Sequence, residues 1–121
     1  MAKILVVEDE PLIRESAAMA IRDWGHETFE ASDVDEALTL LLSPQQIDIL
    51  FTDVYLKTEI HGGCLLARRA LELQPNLRVL YTTGNFISPA MKALFVKDTQ
   101  CLRKPYTEEQ LQDSLKGLVA V

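Results

Sequence analysis

Ile47-Asp48-Ile49-Leu50-Phe51-Thr52-Asp53 is a nearly unbroken apolar run that stops on a carboxylate. Its branched and aromatic residues favour an extended chain, and the near absence of polar alternation reads as a strand buried on both faces. Strands of that kind lie inside parallel sheets covered by helices. Working outward, the pattern recurs. Lys3-Ile4-Leu5-Val6-Val7 runs into Glu8-Asp9, Arg78-Val79-Leu80-Tyr81-Thr82 into Thr83-Gly84, and Gln100-Cys101-Leu102-Arg103 into Lys104-Pro105. A further strand, Glu27 to Ala31, leads only into Ser32-Asp33, which reads as a helix start.

Helical patterns fill the intervals. Pro11 suits a first helical turn, and Leu12, Ile13, Ala17, Met19, Ala20, Ile21 and Trp24 form a broad apolar stripe closed by Gly25. Asp33 with Glu36 reads as a capping box for a helix to Leu42, ended by Ser43-Pro44. After a loop from Val54 to Gly62, a third helix runs from Gly63 to Leu73, and Ser88-Pro89 opens a short helix to about Val96. Thr107 with Gln110 caps a last helix ending near Gly117. Alternating strands and helices specify an α/β fold, a doubly wound five-stranded parallel sheet with five helices. In the order 2-1-3-4-5 the strand without a reactive end lies at the edge, and the other strand ends share one crevice, where open α/β sheets bind ligands.

A chain of 121 residues, 48% apolar and 25% charged, is one globular domain spanning 1–121. Its net charge of -6 argues against direct contact with nucleic acid or an anionic membrane, since both are held mainly through Lys and Arg clusters. The first strand starts within two residues of Met1, and no apolar stretch approaches transmembrane length. A cytoplasmic protein without a signal peptide or membrane contact is therefore expected, either a single domain with no effector domain or one domain of a larger protein. Cys64 and Cys101 lack a CxxC partner and read as small core residues. His26 and His61 fall in loops without ligand spacing and read as solvated, Trp24 and the methionines as core or rim, and Gly62-Gly63 as backbone punctuation.

Gathered at one sheet edge, Glu8, Asp9 and Asp53 bring together like charges that cannot all stay ionised without a cation. Mg²⁺ answers this, because it prefers oxygen ligands and keeps several waters. Lys104 is a counter-ion for Asp53 or for a phosphoryl oxygen, and Thr83 offers a hydroxyl donor. Positioning and charge neutralisation are what phosphoryl transfer mainly requires. Taken singly, each motif has a plainer reading: a helix cap for Glu8-Asp9, a turn for Asp53 or Thr83-Gly84, a loop for Lys104-Pro105. Their joint placement at successive strand ends outweighs those readings.

On these residues the chain resembles, along essentially its whole length, the receiver domain of two-component response regulators, a flavodoxin-like fold. The resemblance implies that Asp53 accepts a phosphoryl group from a histidine kinase or histidine phosphotransfer protein, and that Thr83 and Lys104 hold the phosphoryl oxygens. It further implies Asp9 as a direct metal ligand, Glu8 acting mainly through water, and the Tyr55 carbonyl completing the protein ligands for Mg²⁺. Such a domain is not a turnover enzyme; it signals through phosphorylation-dependent contacts with a downstream protein, here expected at the fourth helix, fifth strand and fifth helix. The chain departs from the family at Cys101, where an aromatic switch residue is usual, at Lys57, where proline is usual, and at Gly62, which comes one residue late. Tyr81-Thr82-Thr83-Gly84-Asn85-Phe86 looks like a variant of the Phe-Ala-Thr-Gly-x-Tyr motif of a divergent receiver group, so Tyr81 or Phe86 is expected to repack in place of the missing ring. Tyr55 and Asn85 are expected to govern the lifetime of the phosphoryl group. The alternatives are a phosphorylation-independent adaptor and an aspartate-nucleophile phosphatase; the second lacks an aspartate two residues after Asp53, where Tyr55 stands.

Overall fold

The computed structural model describes residues 1–56, 61–84, 86–97 and 99–119; Lys57 and Asn85, singled out above, lie outside them. In chain order the elements are β1 (Lys3–Val7), α1 (Pro11–Asp23), β2 (Glu27–Ala31), α2 (Val34–Leu42), β3 (Ile49–Asp53), α3 (Gly62–Leu73), β4 (Arg78–Thr83), α4 (Pro89–Lys92), β5 (Gln100–Arg103) and α5 (Glu108–Val119). All strand pairs are parallel, in the order β2-β1-β3-β4-β5, as expected.

Every residue of β3 is buried, which is why its sequence shows no alternation. Along β1 the alternation is between two cores. Leu5 and Val7 face a cluster with Leu50, Leu66, Val79 and Tyr81, whereas Ile4 and Val6 face one with Ile21, Phe51, Leu80, Leu111 and Leu115. The helices α2 and α3 cover the first, and α1 and α5 the second. Each fully buried branched side chain contributes about 1.5–3 kcal/mol, so the two layers fix the sheet from both sides.

The caps follow the sequence with informative differences. Asp33 Oδ1 accepts the Glu36 N–H at 2.8 Å, but the Glu36 carboxylate turns to the Ser32 amide at 2.7 Å and to the Ser32 hydroxyl, not back to Asp33. Thr107 and Gln110 form the reciprocal box, at 3.1 and 2.9 Å. Gly25, at φ +93°, closes the turn after α1. The fifth helix passes Gly117 and ends at Val119, because Leu118 is buried against the sheet.

The short fourth helix stops at Lys92 rather than near Val96. Leu94 and Phe95 send their N–H groups three residues back, to Met91 and Lys92 carbonyls, and the Val96 N–H leaves the helical pattern for the Tyr81 hydroxyl at 3.1 Å. Tyr81 is fully buried and stacks on Phe95 with ring centroids 4.2 Å apart, and burial pushes its phenol up to about 12.

Other expectations are corrected. Leu12, Ile13 and Met19 are exposed, because only Ala17, Ala18, Ala20 and Ile21 of α1 reach the core. Cys64 is buried as expected, but Cys101 is exposed, since β5 is an edge strand. His26 is not simply solvated: its Nδ1 accepts the Ala2 N–H at 3.0 Å, and partial burial lowers its pKa. Trp24 is a rim residue, partly buried against the α1/α5 core.

Tyr81→Phe keeps the ring and removes the acceptor of the Val96 N–H. It should cost about 1 kcal/mol in urea denaturation and speed amide exchange at Val96; unchanged exchange there would show that the N–H has another partner.

Candidate functional site

The C-terminal ends of β1, β3, β4 and β5 meet at one edge. Carboxylate oxygens of Glu8, Asp9 and Asp53 all lie within 4.8 Å of one another, Glu8 and Asp53 buried and Asp9 half-buried. The Lys104 ammonium, just beyond β5, lies 2.5 Å from Glu8 Oε1 and 3.0 Å from Asp53 Oδ2. The expected counter-ion of Asp53 is thus shared with Glu8. The other Glu8 oxygen accepts the Glu10 N–H at 3.1 Å. Thr83 is buried at the end of β4, and its carbonyl accepts the Lys104 N–H at 2.9 Å, which sets the two residues side by side. The Tyr55 N–H donates to Asp53 Oδ1 at 3.4 Å. All six residues expected at the site are therefore at this edge.

Lys104 pairs with two of the three crowded carboxylates, Glu8 and Asp53. Burial pushes the Asp53 and Glu8 carboxyls above their ordinary values, against the opposing pull of Lys104, and the neighbouring carboxylates add to the rise. Burial alone would lower Lys104, but its hydrogen bonds to Glu8 and Asp53 hold it above its ordinary value. The lysine is stabilised in its charged form and the carboxylates are not. Hard oxygen donors with this excess of negative charge fit a divalent cation such as Mg²⁺.

Two contributors were not read from the sequence as site residues. A Cβ on Gly63 would meet the Asp53 carbonyl oxygen at 2.0 Å, and the Gly63 N–H donates to the Val54 carbonyl at 3.1 Å. The glycine lets the start of α3 press on the backbone that carries Asp53; the Gly62-Gly63 pair was a legible signal for such an approach. Arg14 Nη1 donates to the Glu8 carbonyl at 2.9 Å, a reach from helix to loop that spacing alone does not reveal.

Below Lys104 a groove of about 680 Å³ runs between α1 and α5, lined by Leu12, Ile13, Tyr106 and Leu111 among others and reaching Gly84 at its upper end. It explains the exposure of Leu12, at 81%. A second hollow, of about 430 Å³, includes Gln45 and Gln74 in its lining and lies at the opposite end of the sheet, away from the carboxylates.

The family described as response regulator receiver domain matches residues 4–116. The chain is 30% identical over 118 residues to the sensory transduction protein LytT of Bacillus subtilis, covering 96% of this chain and 47% of that protein. It thus spans about half the length of the curated relatives it matches. A response regulator receiver protein from Sinorhizobium medicae superposes with a TM-score of 0.89 at 27% identity, covering 99% of this chain and 95% of that one. A response regulator protein from Burkholderia pseudomallei, solved with a phosphorylated aspartic acid, calcium ion and citrate, superposes with a TM-score of 0.82 at 25% identity, covering 95% of this chain and 66% of that one.

Two outcomes follow from the geometry. Because the folded Asp53 carboxyl titrates above its ordinary 3.8, its stabilising contribution is full below that pH and is lost as pH rises through the raised value. Asp53→Asn should therefore melt at a higher temperature than the wild type in metal-free buffer at pH 7, with the gap closing as pH falls toward 3.8; a gap that widens in acid would reverse the sign assigned to Asp53. Gly63→Ala forces the Asp53 backbone to move and should cost about 1–3 kcal/mol in chemical denaturation, whereas wild-type stability would mean that the start of α3 can withdraw freely.

Proposed function

The chain belongs to the response regulator receiver family, and we propose that Asp53 is its phosphoacceptor, charged from a phosphohistidine of a histidine kinase or histidine phosphotransfer protein. The observation that carries this reading is the Lys104 ammonium 3.0 Å from Asp53 Oδ2, beside two further carboxylates at the same edge. An Asp53 oxygen forms the new P–O bond as the P–N bond of the donor breaks, and the leaving imidazole takes up a proton. Lys104 and the Thr83 hydroxyl hold the oxygens of the arriving group, whose negative charge draws the ammonium from its carboxylate partners. Asp9, Asp53, Glu8 through water and the Tyr55 carbonyl would hold Mg²⁺, which neutralises the charge that otherwise repels the donor. The phosphorylated aspartic acid and calcium ion of the Burkholderia relative support this assignment. The domain of residues 1–121 acts as a signalling module, its only chemistry its own phosphorylation and dephosphorylation.

The donor protein is expected at the α1/α5 groove, whose apolar lining opens at Lys104, and the downstream target at α4, β5 and α5. Output is relayed along β4. Thr83 at the site and Tyr81, which anchors Val96 and Phe95, sit two residues apart on one face of that strand. Tyr81 fills the interior in place of an aromatic at position 101, while Phe86 is 74% exposed. Among the described residues no helix is long and apolar enough to cross a membrane, in keeping with a cytoplasmic location. Matched proteins of Staphylococcus aureus are named transcriptional regulatory protein LytR, and the chain spans 47% of their length, so the acidity of this stretch says nothing about DNA contact by a longer protein.

Incubation with acetyl phosphate and Mg²⁺ should add one phosphoryl mass to the wild type and none to Asp53→Asn. Full labelling of that variant would overturn the assignment.

A further inference from the structure

We propose that Arg14 is a positioning residue that holds the β1–α1 loop in the shape its acidic pair needs to take a divalent cation. The inference rests on the metal reading above and extends it to a residue outside the carboxylate cluster.

The backbone at Glu8 is gripped from both sides. Its N–H donates to the Ala31 carbonyl at 3.1 Å, which continues the β1–β2 ladder by one step. Its carbonyl accepts from Arg14 Nη1 at 2.9 Å. The same guanidinium places Nε 3.5 Å from Glu30 Oε1 on β2, and Arg22 Nη1 lies 3.8 Å from the other Glu30 oxygen while donating to Thr28 Oγ1 at 2.9 Å. Glu8 is therefore tied to β2 twice, directly through its amide and through Arg14 and Glu30 at its carbonyl.

Glu10 at the start of α1 makes no side-chain cap, and its N–H donates to Glu8 Oε2, a tie that uses a carboxylate oxygen of the cluster itself. The Arg14 side chain is only 17% exposed, so its fork is held in place by packing as well as by its partners. A planar guanidinium can serve a carbonyl and a carboxylate at once; an ammonium, a compact point charge, cannot span both in the same way. Ligands positioned from behind in this manner keep their geometry when the metal arrives, and loss of such a support commonly weakens metal binding by about 10–100-fold.

The direction of the effect separates this role from a simple electrostatic one. A positive charge near the acidic loop opposes cation binding, so if charge alone mattered, removing Arg14 would tighten Mg²⁺. Positioning makes the opposite demand.

The test is calorimetric titration of the full chain with Mg²⁺, paired with thermal melts in metal-free buffer. Arg14→Met should bind Mg²⁺ about tenfold more weakly, Arg14→Lys should recover part of the loss, and Glu30→Gln should weaken binding to a smaller degree while leaving Glu8, Asp9 and Asp53 intact. Unchanged or tighter binding in Arg14→Met, whatever its melting temperature, would overturn the proposal and leave Arg14 a stability residue. If Arg14→Met does not fold, Arg14→Lys decides alone because it keeps the charge, binding weaker than wild type upholding the role and wild-type affinity overturning it. Absence of Mg²⁺ binding by the wild type would overturn the metal reading itself and this inference with it.

Discussion

Like charges repel, and this chain holds oxygens of Glu8, Asp9 and Asp53 within 4.8 Å of one another beside the ammonium of Lys104. Everything else at the upper edge of the sheet is arranged around that tension. The fully buried β3 carries Asp53 to a point that water reaches poorly, so the carboxyl is raised despite the pull of Lys104. The helix α3 presses on it through Gly63, which fixes the backbone that a bulkier residue would displace. A cluster held so rigidly does not relax by spreading apart. A divalent cation at this edge would relieve it.

The parallel topology makes this possible. Five strands in one direction present all their C-terminal ends on the same side, and the order β2-β1-β3-β4-β5 sets the four functional ends next to one another. Two cores of different make-up brace the sheet. The α2/α3 side holds Cys64, Leu66 and Tyr81, and the α1/α5 side holds Ile21, Phe51 and Leu115. Strand ends fixed by packing on both faces place side chains more closely than loops would, which is what charge compensation over short distances requires.

Much of this was legible in the sequence for a definite reason. Apolar runs buried on both faces lose their alternation, so Ile49 to Phe51 could be recognised as central, and the polar residue that ends each run marks where the apolar core gives way to the polar edge. Glycine and proline punctuation located the helices because backbone geometry is local. Lateral contacts were not legible. Spacing along the chain does not show that Lys104 divides itself between Glu8 and Asp53, or that the Glu36 carboxylate prefers Ser32 to Asp33. Nor does an apolar stripe state how wide a face the core will accept: Leu12, Ile13 and Met19 fit the helical period of α1 yet remain outside, because the small residues Ala17, Ala18 and Ala20 bring that helix close to the sheet. The fourth helix failed to reach Val96 for a similar reason, since a tertiary acceptor, the Tyr81 hydroxyl, took the N–H that the next helical turn needed.

That last contact lies on the strand that also ends at the carboxylate cluster. Tyr81 and Thr83 alternate with Thr82 along β4, so they share a face of the sheet. One ends at the carboxylate cluster, and the other holds Phe95 and Val96 through a stacked ring and a hydrogen bond. A four-residue α4 has little internal cohesion, because most of its N–H and C=O groups lie in terminal turns. Its position therefore depends on what anchors the segment after it, and that anchor is a buried phenol on the strand that delivers Thr83. With Cys101 exposed on the neighbouring edge strand, no large ring from β5 competes for this interior space. The carboxylate edge and the segment after α4 are thus joined to one face of β4, the second through a buried ring stacked on Phe95.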